Sequence, residues 1–214
     1  LAALTPHVPV LTEEAADIPF SQRANWRQYW LVDPLDGTGE FIAGSGDFAT
    51  LIALVRDNVP VLGVIYAPES DLLYWAVRGH GAFKEANGES RPISAIHHEH
   101  DQPDSLVVAI SRRQKLENLT RRLNPAIHYE LIPLGSSSLK SCLVAEGVAD
   151  CYVRLGPTGE WDTAAAQCIV EAAGGRILSL ALQPLSYNET ESLENPDFIV
   201  MGDPDLAWGR ILAH

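Results

Sequence analysis

The sequence predicts a layered α/β protein, and the order of its elements carries that prediction. Residues 48–88 consist of short β-favouring runs separated by Asp-Asn and glycine turns, a pattern typical of antiparallel hairpins. From Leu106 onward, apolar strands alternate with helix-compatible segments, as in a sheet covered by helices. We therefore divide the chain into an antiparallel α+β half at residues 1–104 and an α/β half at residues 105–214.

Length and composition describe a globular protein and argue against several partners. The 214 residues are 46% hydrophobic and 20% charged, which is ordinary for a soluble protein with a sizeable core. A net charge of −13 argues against nucleic-acid backbones and anionic membranes as partners. An acidic protein that handles phosphate groups therefore needs bound cations to mediate the contact.

The sequence also indicates a compartment. Three cysteines, Cys142, Cys151 and Cys168, are odd in number and lack the spacing of a disulfide framework, which favours a reducing cytoplasm. No apolar run reaches the length of a membrane span and no signal peptide is visible. Peripheral association with the inner membrane stays open, and the sequence specifies no oligomeric state. Because the chain starts at Leu1 and its one methionine is Met201, we expect a preceding N-terminal segment.

The first half begins with a short apolar strand at residues 8–11 and a polar loop at residues 15–25. The predicted antiparallel strands cover residues 28–32, 48–56, 61–67 and 72–77, followed by a glycine-punctuated hairpin around residues 82–84. Residues 94–105 are polar and are predicted to connect the halves. They contain His97, His98 and His100, for which we favour a solvated loop over a metal site.

The second half alternates strands and helices. Strands are predicted at residues 106–111, 128–134, 150–154, 176–180 and 198–201, and helices at residues 114–123, 137–146 and 161–173. Gly174 and Gly175 predict a left-handed cap at the end of the third helix. A terminal helix is predicted at residues 203–212, with Asp203 as its N-cap and Pro204 at its first position.

The strongest functional signal lies in residues 29–38. An apolar strand is stopped there by Asp33 and Pro34, and Asp36 follows within the same turn. Two carboxylates, with the carbonyl of Leu35, then lie beside backbone N–H groups at a helix start. Carboxylate oxygens bind Mg²⁺, and the N–H groups at a helix start bind phosphate. An ordinary acidic β-turn is the alternative, since Asp, Pro and Gly are common turn residues.

Three further features carry polar groups, and each has an ordinary structural alternative. Glu13 follows a strand, where exposed acids are common. Residues 135–140 form a glycine-led junction with Lys140, for which a serine N-cap and a solvated lysine are the alternative. Asp162 stands at the start of a small-residue helix, where a carboxylate often only caps the helix. Together, these acids and the acidic turn supply enough oxygen ligands for two Mg²⁺ ions that clamp a phosphoryl displacement.

Two motifs extend this inference. Residues 33–38 and 161–165 resemble the paired motifs of the inositol monophosphatase-like, lithium-sensitive Mg²⁺ phosphatases. Residues 63–68, 137–147 and 154–158 are similar to the bacterial 3′(2′),5′-bisphosphate nucleotidases within that family. The resemblance covers nearly the whole chain. It implies a layered α-β-α-β-α sandwich of the sugar-phosphatase type, with an incomplete N-terminal part and the active site between the two halves.

The resemblance also implies a metal-ligand set. Glu13, Asp33 and the carbonyl of Leu35 would hold the metal that activates water. A second metal, at the leaving oxygen, would be held by Asp33, Asp36 and Asp162. Two or three Mg²⁺ ions per site are implied.

Catalytic and substrate-binding roles follow from the same resemblance. Catalysis would rest on Glu13, Asp36 and Thr38, with Thr38 orienting the water. Substrate contacts are implied for the following residues: Gly37, Thr38, Ser137, Ser138, Lys140 and Asp162. Among them, Ser137, Ser138 and Lys140 lie where the family contacts the nucleotide and its second phosphate.

The sequence departs from the family pattern at several places. The family has an N-terminal helical segment whose acid partners the threonine equivalent to Thr38, and this sequence lacks it. Gly39 stands where the subgroup usually carries lysine, which removes a cation near the phosphate pocket, and Leu51 stands in place of asparagine. The serine run at residues 136–138 is one residue longer than the family pattern.

The expected function is Mg²⁺-dependent removal of the 3′-phosphate from adenosine 3′,5′-bisphosphate (PAP), giving AMP and phosphate. The resemblance implies a housekeeping role in sulfate assimilation, with the sulfated analogue PAPS as a second substrate. Two alternatives remain at this point. The chain could be an inositol monophosphatase or a fructose bisphosphatase, which the Ser-Ser-Leu-Lys stretch argues against, or a catalytically inactive nucleotide- or metal-binding module.

Overall fold

The computed structural model describes residue 1 and residues 3–212. Within these residues, the first half forms one sheet whose strands lie in chain order. Its first two strands pair in parallel, and every later pair is antiparallel. The strands are β1 (Val10–Thr12), β2 (Gln28–Asp36), β3 (Ala49–Arg56), β4 (Val59–Ala67), β5 (Leu72–Val77), β6 (Ala82–Ala86) and β7 (Glu89–Ile93).

The second half forms a separate five-stranded sheet. Its strands are β8 (Ser105–Ser111), β9 (His128–Leu134), β10 (Cys151–Arg154), β11 (Arg176–Ser179) and β12 (Phe198–Met201). They lie in the order β11-β12-β10-β8-β9, with β10, β8 and β9 parallel and β12 antiparallel to both of its neighbours. The parallel strands reach one another through helices, as such connections require.

The described residues contain six short α-helices, of which two lie between the two sheets and two lie beyond the second one. They are α1 (Phe20–Arg23), α2 (Thr38–Ile42), α3 (Leu116–Thr120), α4 (Ser137–Ala145), α5 (Ala164–Ala172) and α6 (Trp208–Ile211). α5 packs on β3, β4 and β5 and against α4, which packs on β8 and β10. Apolar side chains of α3 and α6 form a second core with the opposite face of the second sheet. The predicted layered α/β architecture is confirmed.

Small residues bring α5 close to the first sheet. α5 begins with Ala164, Ala165 and Ala166, all buried, and Gly63 of β4 faces the helix. A Cβ atom added to Gly63 would collide with the backbone carbonyl oxygen of Ala165 and would lie 3.0 Å from the Cβ of Cys168, so only glycine fits. This close packing lets the 3₁₀ turn at Glu160–Asp162, just before α5, contact β2 and β3.

Most element boundaries agree with the sequence-based predictions to within a few residues, but the terminal helix does not. The helix predicted at residues 203–212 is only α6, because Asp203 is not its N-cap. The carboxylate of Asp203 accepts the N–H of Asp205 (2.9 Å) and the N–H of His98 (2.8 Å). Its carbonyl accepts the indole N–H of Trp208 (2.7 Å). Asp203 therefore closes a turn and holds the connector.

Three other predicted segments differ from the structure. The helix predicted at residues 114–123 is shortened to α3, and the one predicted at residues 161–173 starts as a 3₁₀ turn before α5. The loop predicted at residues 15–25 contains α1. The guanidinium of Arg23 is buried there and donates to Oδ1 of Asn188 (2.6 Å), so a long-range polar contact fixes a segment that lacks apolar periodicity.

Two histidines of the connector are paired with carboxylates. Nε2 of His98 lies 2.7 Å from Oδ1 of Asp150, and Nδ1 of His97 lies 2.8 Å from Oδ2 of Asp203. His97, Asp203 and Asp205 place side-chain atoms within 4.8 Å of one another. However, both carboxylate oxygens of Asp203 already accept hydrogen bonds. The arrangement favours a structural clamp, and the prediction of a solvated loop is wrong for His98.

We expect Asp203→Ala to lower the free energy of unfolding at pH 7 by roughly 2 kcal/mol, because two partly buried N–H groups lose a charged acceptor. Burial raises the pKa of Asp203, but the N–H groups of His98 and Asp205 together with His97 outweigh it and hold the pKa below its ordinary value. A depressed acid stabilises the fold above its unfolded pKa and ceases to do so as the pH falls through the folded pKa.

Urea unfolding at several pH values measures this difference. The deficit of Asp203→Ala should be full at pH 7 and should shrink below about pH 4. Asp205, which is exposed and lies two residues after Asp203, supplies the matched control Asp205→Asn. Equal stability of the two variants at pH 7 would contradict the clamp.

Candidate metal centre

Three carboxylates from distant parts of the chain meet at one end of the first sheet. Asp33 and Asp36 belong to β2, and Asp162 belongs to the 3₁₀ turn before α5. Each offers one oxygen such that all three oxygens lie within 4.8 Å of one another. The structure thus brings together three of the four acids that the sequence singled out.

A bulge in β2 places Asp33 and Asp36 on the same side of the sheet. The sequence predicts that the strand ends before Asp33, but it continues to Asp36. Asp33 pairs with Leu51 and Asp36 pairs with Ala49, so β2 has one more residue than β3 in this interval. In a regular strand, residues three apart face opposite sides. The extra residue of the bulge reverses that alternation and turns both carboxylates inward.

Asp33 carries a buried oxygen without a hydrogen-bond partner. Oδ1 accepts the N–H of Leu35 (2.8 Å), whereas the buried Oδ2 has no partner among the described residues. Burial, followed by the charge of Asp36, raises the pKa of Asp33 to about 9. The charge of Glu13 raises it further. β1 pairs with β2 up to Thr12 and Val32, so Glu13 emerges next to Asp33.

Asp36 is held by two serines of the loop before α4. Its Oδ2 accepts the hydroxyls of Ser136 and Ser138, both at 2.5 Å, and the backbone N–H of Ser138 at 3.1 Å. Within the described residues, no hydrogen bond uses Oδ1 of Asp36. The second oxygen is therefore left for another ligand while the first is fixed.

Asp162 is held from the other side. Its Oδ2 accepts the N–H of Gly159 (2.6 Å), which closes the 3₁₀ turn that precedes α5. Burial, followed by the charge of Asp36, raises the pKa of Asp162 to about 7. An uncompensated cluster of this kind disfavours the charged forms of its own members.

The residues fit a divalent cation. An unpartnered buried oxygen and three converging carboxylates are what a hard cation needs, and Mg²⁺ prefers carboxylate and carbonyl oxygens. The hydroxyl of Thr38 donates to the carbonyl of Leu35 (3.1 Å), so the expected carbonyl ligand and the expected water-orienting residue touch. The roles of Glu13, Leu35 and Thr38 as ligands or catalysts stay predictions.

The other substrate-binding candidates lie at the start of α4. Ser137 lines a cavity of about 230 Å³ together with Asp36, Gly37 and Asp162. Ser138 is fully buried, and its hydroxyl donates to Asp36. The structure therefore favours a supporting role for Ser138, and its predicted contact with substrate stays a prediction.

Lys140 is buried and supports the loop before α4. Its Nζ donates to the carbonyls of Gly135 and Ser136, the latter at 2.6 Å. Burial lowers the pKa of Lys140 to about 8, although the nearby Asp36 charge opposes the shift. Ser136 has a φ of 25°, a conformation that costs energy for a residue with a side chain. Lys140 thus stabilises a strained loop whose hydroxyls hold Asp36.

Sequence reasoning missed three residues that the structure places at this site. Arg113 and Arg154 line the 230 Å³ cavity, and Ser136 is the second hydroxyl on Asp36. Arg154 stands in one of the stretches that carry the family resemblance, which was the available signal. Arg113 had no signal, because its proximity depends on how β8 meets α2.

Two further cavities define the surroundings. One of about 520 Å³ adjoins the carboxylates and is lined by Glu13, Trp161 and Asp162. Another of about 930 Å³ lies near Arg78 and Trp208 and is lined by none of the three carboxylates. The candidate metal ligands therefore line the two smaller of these three cavities and not the largest.

Comparisons with known proteins agree with this geometry. A model of the inositol monophosphatase family matches residues 1–203. The 3′(2′),5′-bisphosphate nucleotidase CysQ of Aggregatibacter actinomycetemcomitans is 46% identical over 211 residues, which cover 99% of this chain and 78% of that protein. The protein of the same name from Escherichia coli K12 is 45% identical over 201 residues, which cover 94% of this chain and 78% of that protein.

A solved structure shows the same fold. The crystal structure of CysQ from Bacteroides thetaiotaomicron, described as a bacterial member of the inositol monophosphatase family, superposes with a TM-score of 0.82. It is 39% identical, and the alignment covers 94% of this chain and 80% of that one. No helix among the described residues is long and apolar enough to cross a membrane.

We expect the stability of the metal-free protein to fall as the pH rises from 5 to 8. The folded pKa values of Asp33 and Asp162 lie above their unfolded values, so the folded state holds protons that the unfolded state has released. Bound Mg²⁺ removes this penalty by neutralising the carboxylates. The rise in melting temperature on adding Mg²⁺ to chelator-treated protein should therefore be larger at pH 8 than at pH 5.

Asp33→Asn separates this effect from nonspecific salt stabilisation. Without metal at pH 8, the variant should be more stable than the parent by on the order of 1 kcal/mol, because asparagine is neutral without the proton that Asp33 must take up on folding. It should also lose most of its response to Mg²⁺. An Mg²⁺ response that is independent of pH, or intact in Asp33→Asn, would place the cation elsewhere.

Proposed function

The chain belongs to the inositol monophosphatase family, and from that premise we propose that it is a metal-dependent phosphatase acting on adenosine 3′,5′-bisphosphate. It removes the 3′-phosphate and releases AMP and inorganic phosphate. The convergence of Asp33, Asp36 and Asp162 beside a cavity that also contains cations carries the proposal. Its relatives named 3′(2′),5′-bisphosphate nucleotidase support the substrate.

Mg²⁺ is the proposed cofactor, with two or three ions per site. Glu13, Asp33 and the carbonyl of Leu35 would hold one ion, and a second would be held by Asp33, Asp36 and Asp162. When bound, the ions would lower the pKa of a water and stabilise charge on the leaving oxygen. The cluster fits this role, because its oxygens converge and one of them is buried and unpartnered.

The surrounding residues orient the reactants. The hydroxyl of Thr38, fixed on the carbonyl of Leu35, is proposed to direct the attacking water. Gly37 has a φ of 87°, which favours glycine and turns the backbone into α2, so that its N–H and that of Thr38 can meet the phosphate. The proposed substrate contacts extend to Ser137, Ser138, Lys140 and Asp162.

Cations beside the carboxylates favour a substrate with two phosphates. Arg113, Lys140 and Arg154 line the same cavity as Asp36 and Asp162, in a protein with a net charge of −13. A monophosphate needs only the metal ions, whereas a second phosphate needs its own positive contact. The same cavity could accept the sulfated analogue PAPS as a second substrate.

We also propose that the protein works in the cytoplasm, with peripheral association at the inner membrane as the alternative. Cys142, Cys151 and Cys168 are buried free thiols in the structure, as expected in a reducing compartment.

A phosphate-release assay across substrates tests the proposal. We expect adenosine 3′,5′-bisphosphate to be hydrolysed faster than inositol monophosphate or fructose 1,6-bisphosphate, in Mg²⁺ and not in chelator. The family resemblance also implies inhibition by lithium at millimolar concentrations or below. Preference for a sugar phosphate would support the sugar phosphatase alternative. Nucleotide binding without phosphate release would support an inactive binding module.

Asp36→Asn should abolish turnover without unfolding the protein. The asparagine carbonyl can still accept the hydroxyls of Ser136 and Ser138, but the charge that would hold a metal is lost. We expect kcat to fall by at least about 100-fold, because metal charge supplies several kcal/mol to such reactions. The exposed pair of Arg27 and Asp57 supplies the control Asp57→Asn, which should retain activity. Retained turnover in Asp36→Asn, with a normal melting temperature, would contradict the assignment.

A further inference from the structure

The guanidinium of Arg113 occupies the space that a side chain at residue 39 would fill. Its Nη2 donates to the carbonyl of Gly39 (2.7 Å), and its Nε lies 2.9 Å from Oε1 of Glu40. A Cβ atom added to Gly39 would lie 2.6 Å from Nη1 of Arg113. The arginine can therefore lie on α2 only because residue 39 is glycine.

The position of Arg113 is fixed by two elements. Its backbone N–H donates to the hydroxyl of Ser111 at the end of β8 (3.3 Å), and its side chain is fixed by α2. Arg113 also lines the 230 Å³ cavity that contains Asp36, Asp162 and Ser137. A cation from the second half thus reaches the metal centre of the first half.

The guanidinium keeps donors free for a ligand. Arginine has five N–H donors, and the contacts with Glu40 and Gly39 use two of them. Within the described part of the chain, Nη1 has no hydrogen-bond partner. A planar fork with free donors matches the oxygens of a phosphate group.

We propose that Arg113 binds the phosphate of the substrate that is not hydrolysed. The scissile phosphate must lie against Asp33, Asp36 and Asp162, whereas Arg113 is fixed on Gly39 and Glu40 beyond the start of α2. The inference rests on the proposed function. It assigns to Arg113 the positive charge that the sequence lacks at residue 39, so that Gly39 and Arg113 together form a phosphate-binding pair.

Arg113→Gln tests the inference with two substrates that differ in one phosphate. For adenosine 3′,5′-bisphosphate, KM should rise about 5- to 20-fold with kcat nearly unchanged, which is the loss expected for a partly exposed charged hydrogen bond. For adenosine 3′-monophosphate, both constants should stay the same. Arg122→Gln, an exposed arginine outside the cavity, is the matched control and should change neither.

Binding of AMP, measured by calorimetry, separates this inference from the proposed function. AMP carries the phosphate that Arg113 should contact and has no 3′-phosphate to lose, so its Kd should rise by the same factor in Arg113→Gln. If the parent protein binds AMP through Arg113 but hydrolyses no bisphosphate, the proposed function fails and the inference stands. If the parent protein is an active nucleotidase and Arg113→Gln binds AMP normally, the inference fails alone.

Two variants at residue 39 probe the pair from the other side. Gly39→Ala displaces the guanidinium without straining the backbone and should reproduce the KM effect of Arg113→Gln. Gly39→Lys in the Arg113→Gln background supplies a cation from residue 39 and should restore KM for the bisphosphate. An equal rise in KM for both substrates would place Arg113 at the scissile phosphate and overturn the assignment. No change in any variant would show that Arg113 makes no contact.

Discussion

Repulsion among three carboxylates, two of them buried and the third half-buried, is the constraint around which this structure is built. Asp33 and Asp162 have raised pKa values because burial and the charge of Asp36 disfavour their ionised forms. Their meeting is imposed by the backbone, through the bulge in β2 and the turn before α5, and by the serines that hold Asp36. Such a cluster lowers the free energy of unfolding, and contacts elsewhere in the fold must offset that cost. Carboxylates with strongly shifted pKa values are common at functional sites.

Packing and polar contacts outside the carboxylate cluster hold its members in position. Glu160, adjacent to the cluster, accepts the N–H of Asn188 at 2.9 Å. The side chain of Asn195 donates to the carbonyl of Gly159 (2.5 Å), in the same turn that presents Asp162. With Gly63 admitting α5 close to β4, this turn has little freedom to move. The carboxylate cluster therefore depends on loops of the second half as much as on the motif in β2.

The sequence predicted what local patterns determine and missed what tertiary contacts determine. Hydrophobic periodicity located most strands and helices, and the acidic motifs indicated Asp33, Asp36 and Asp162, which the structure brings together. The bulge could not be predicted, because it is defined by the register of β2 against β3. The terminal helix was predicted too long because local capping rules do not include long-range contacts. The N–H of His98 donates to the carboxylate of Asp203, which is therefore not the N-cap. Arg113 was missed since its contact with Gly39 joins residues 74 positions apart.

The loop before α4, residues 135–136, together with Ser138 contacts both an acidic and a basic side chain of the cavity. The hydroxyls of Ser136 and Ser138 donate to Asp36, while the carbonyls of Gly135 and Ser136 accept Lys140. The loop therefore binds a carboxylate on one side and a cation on the other. A salt bridge between them would use the oxygen that a metal requires. By satisfying both with neutral groups, the loop leaves the second oxygen of Asp36 available to a metal ion.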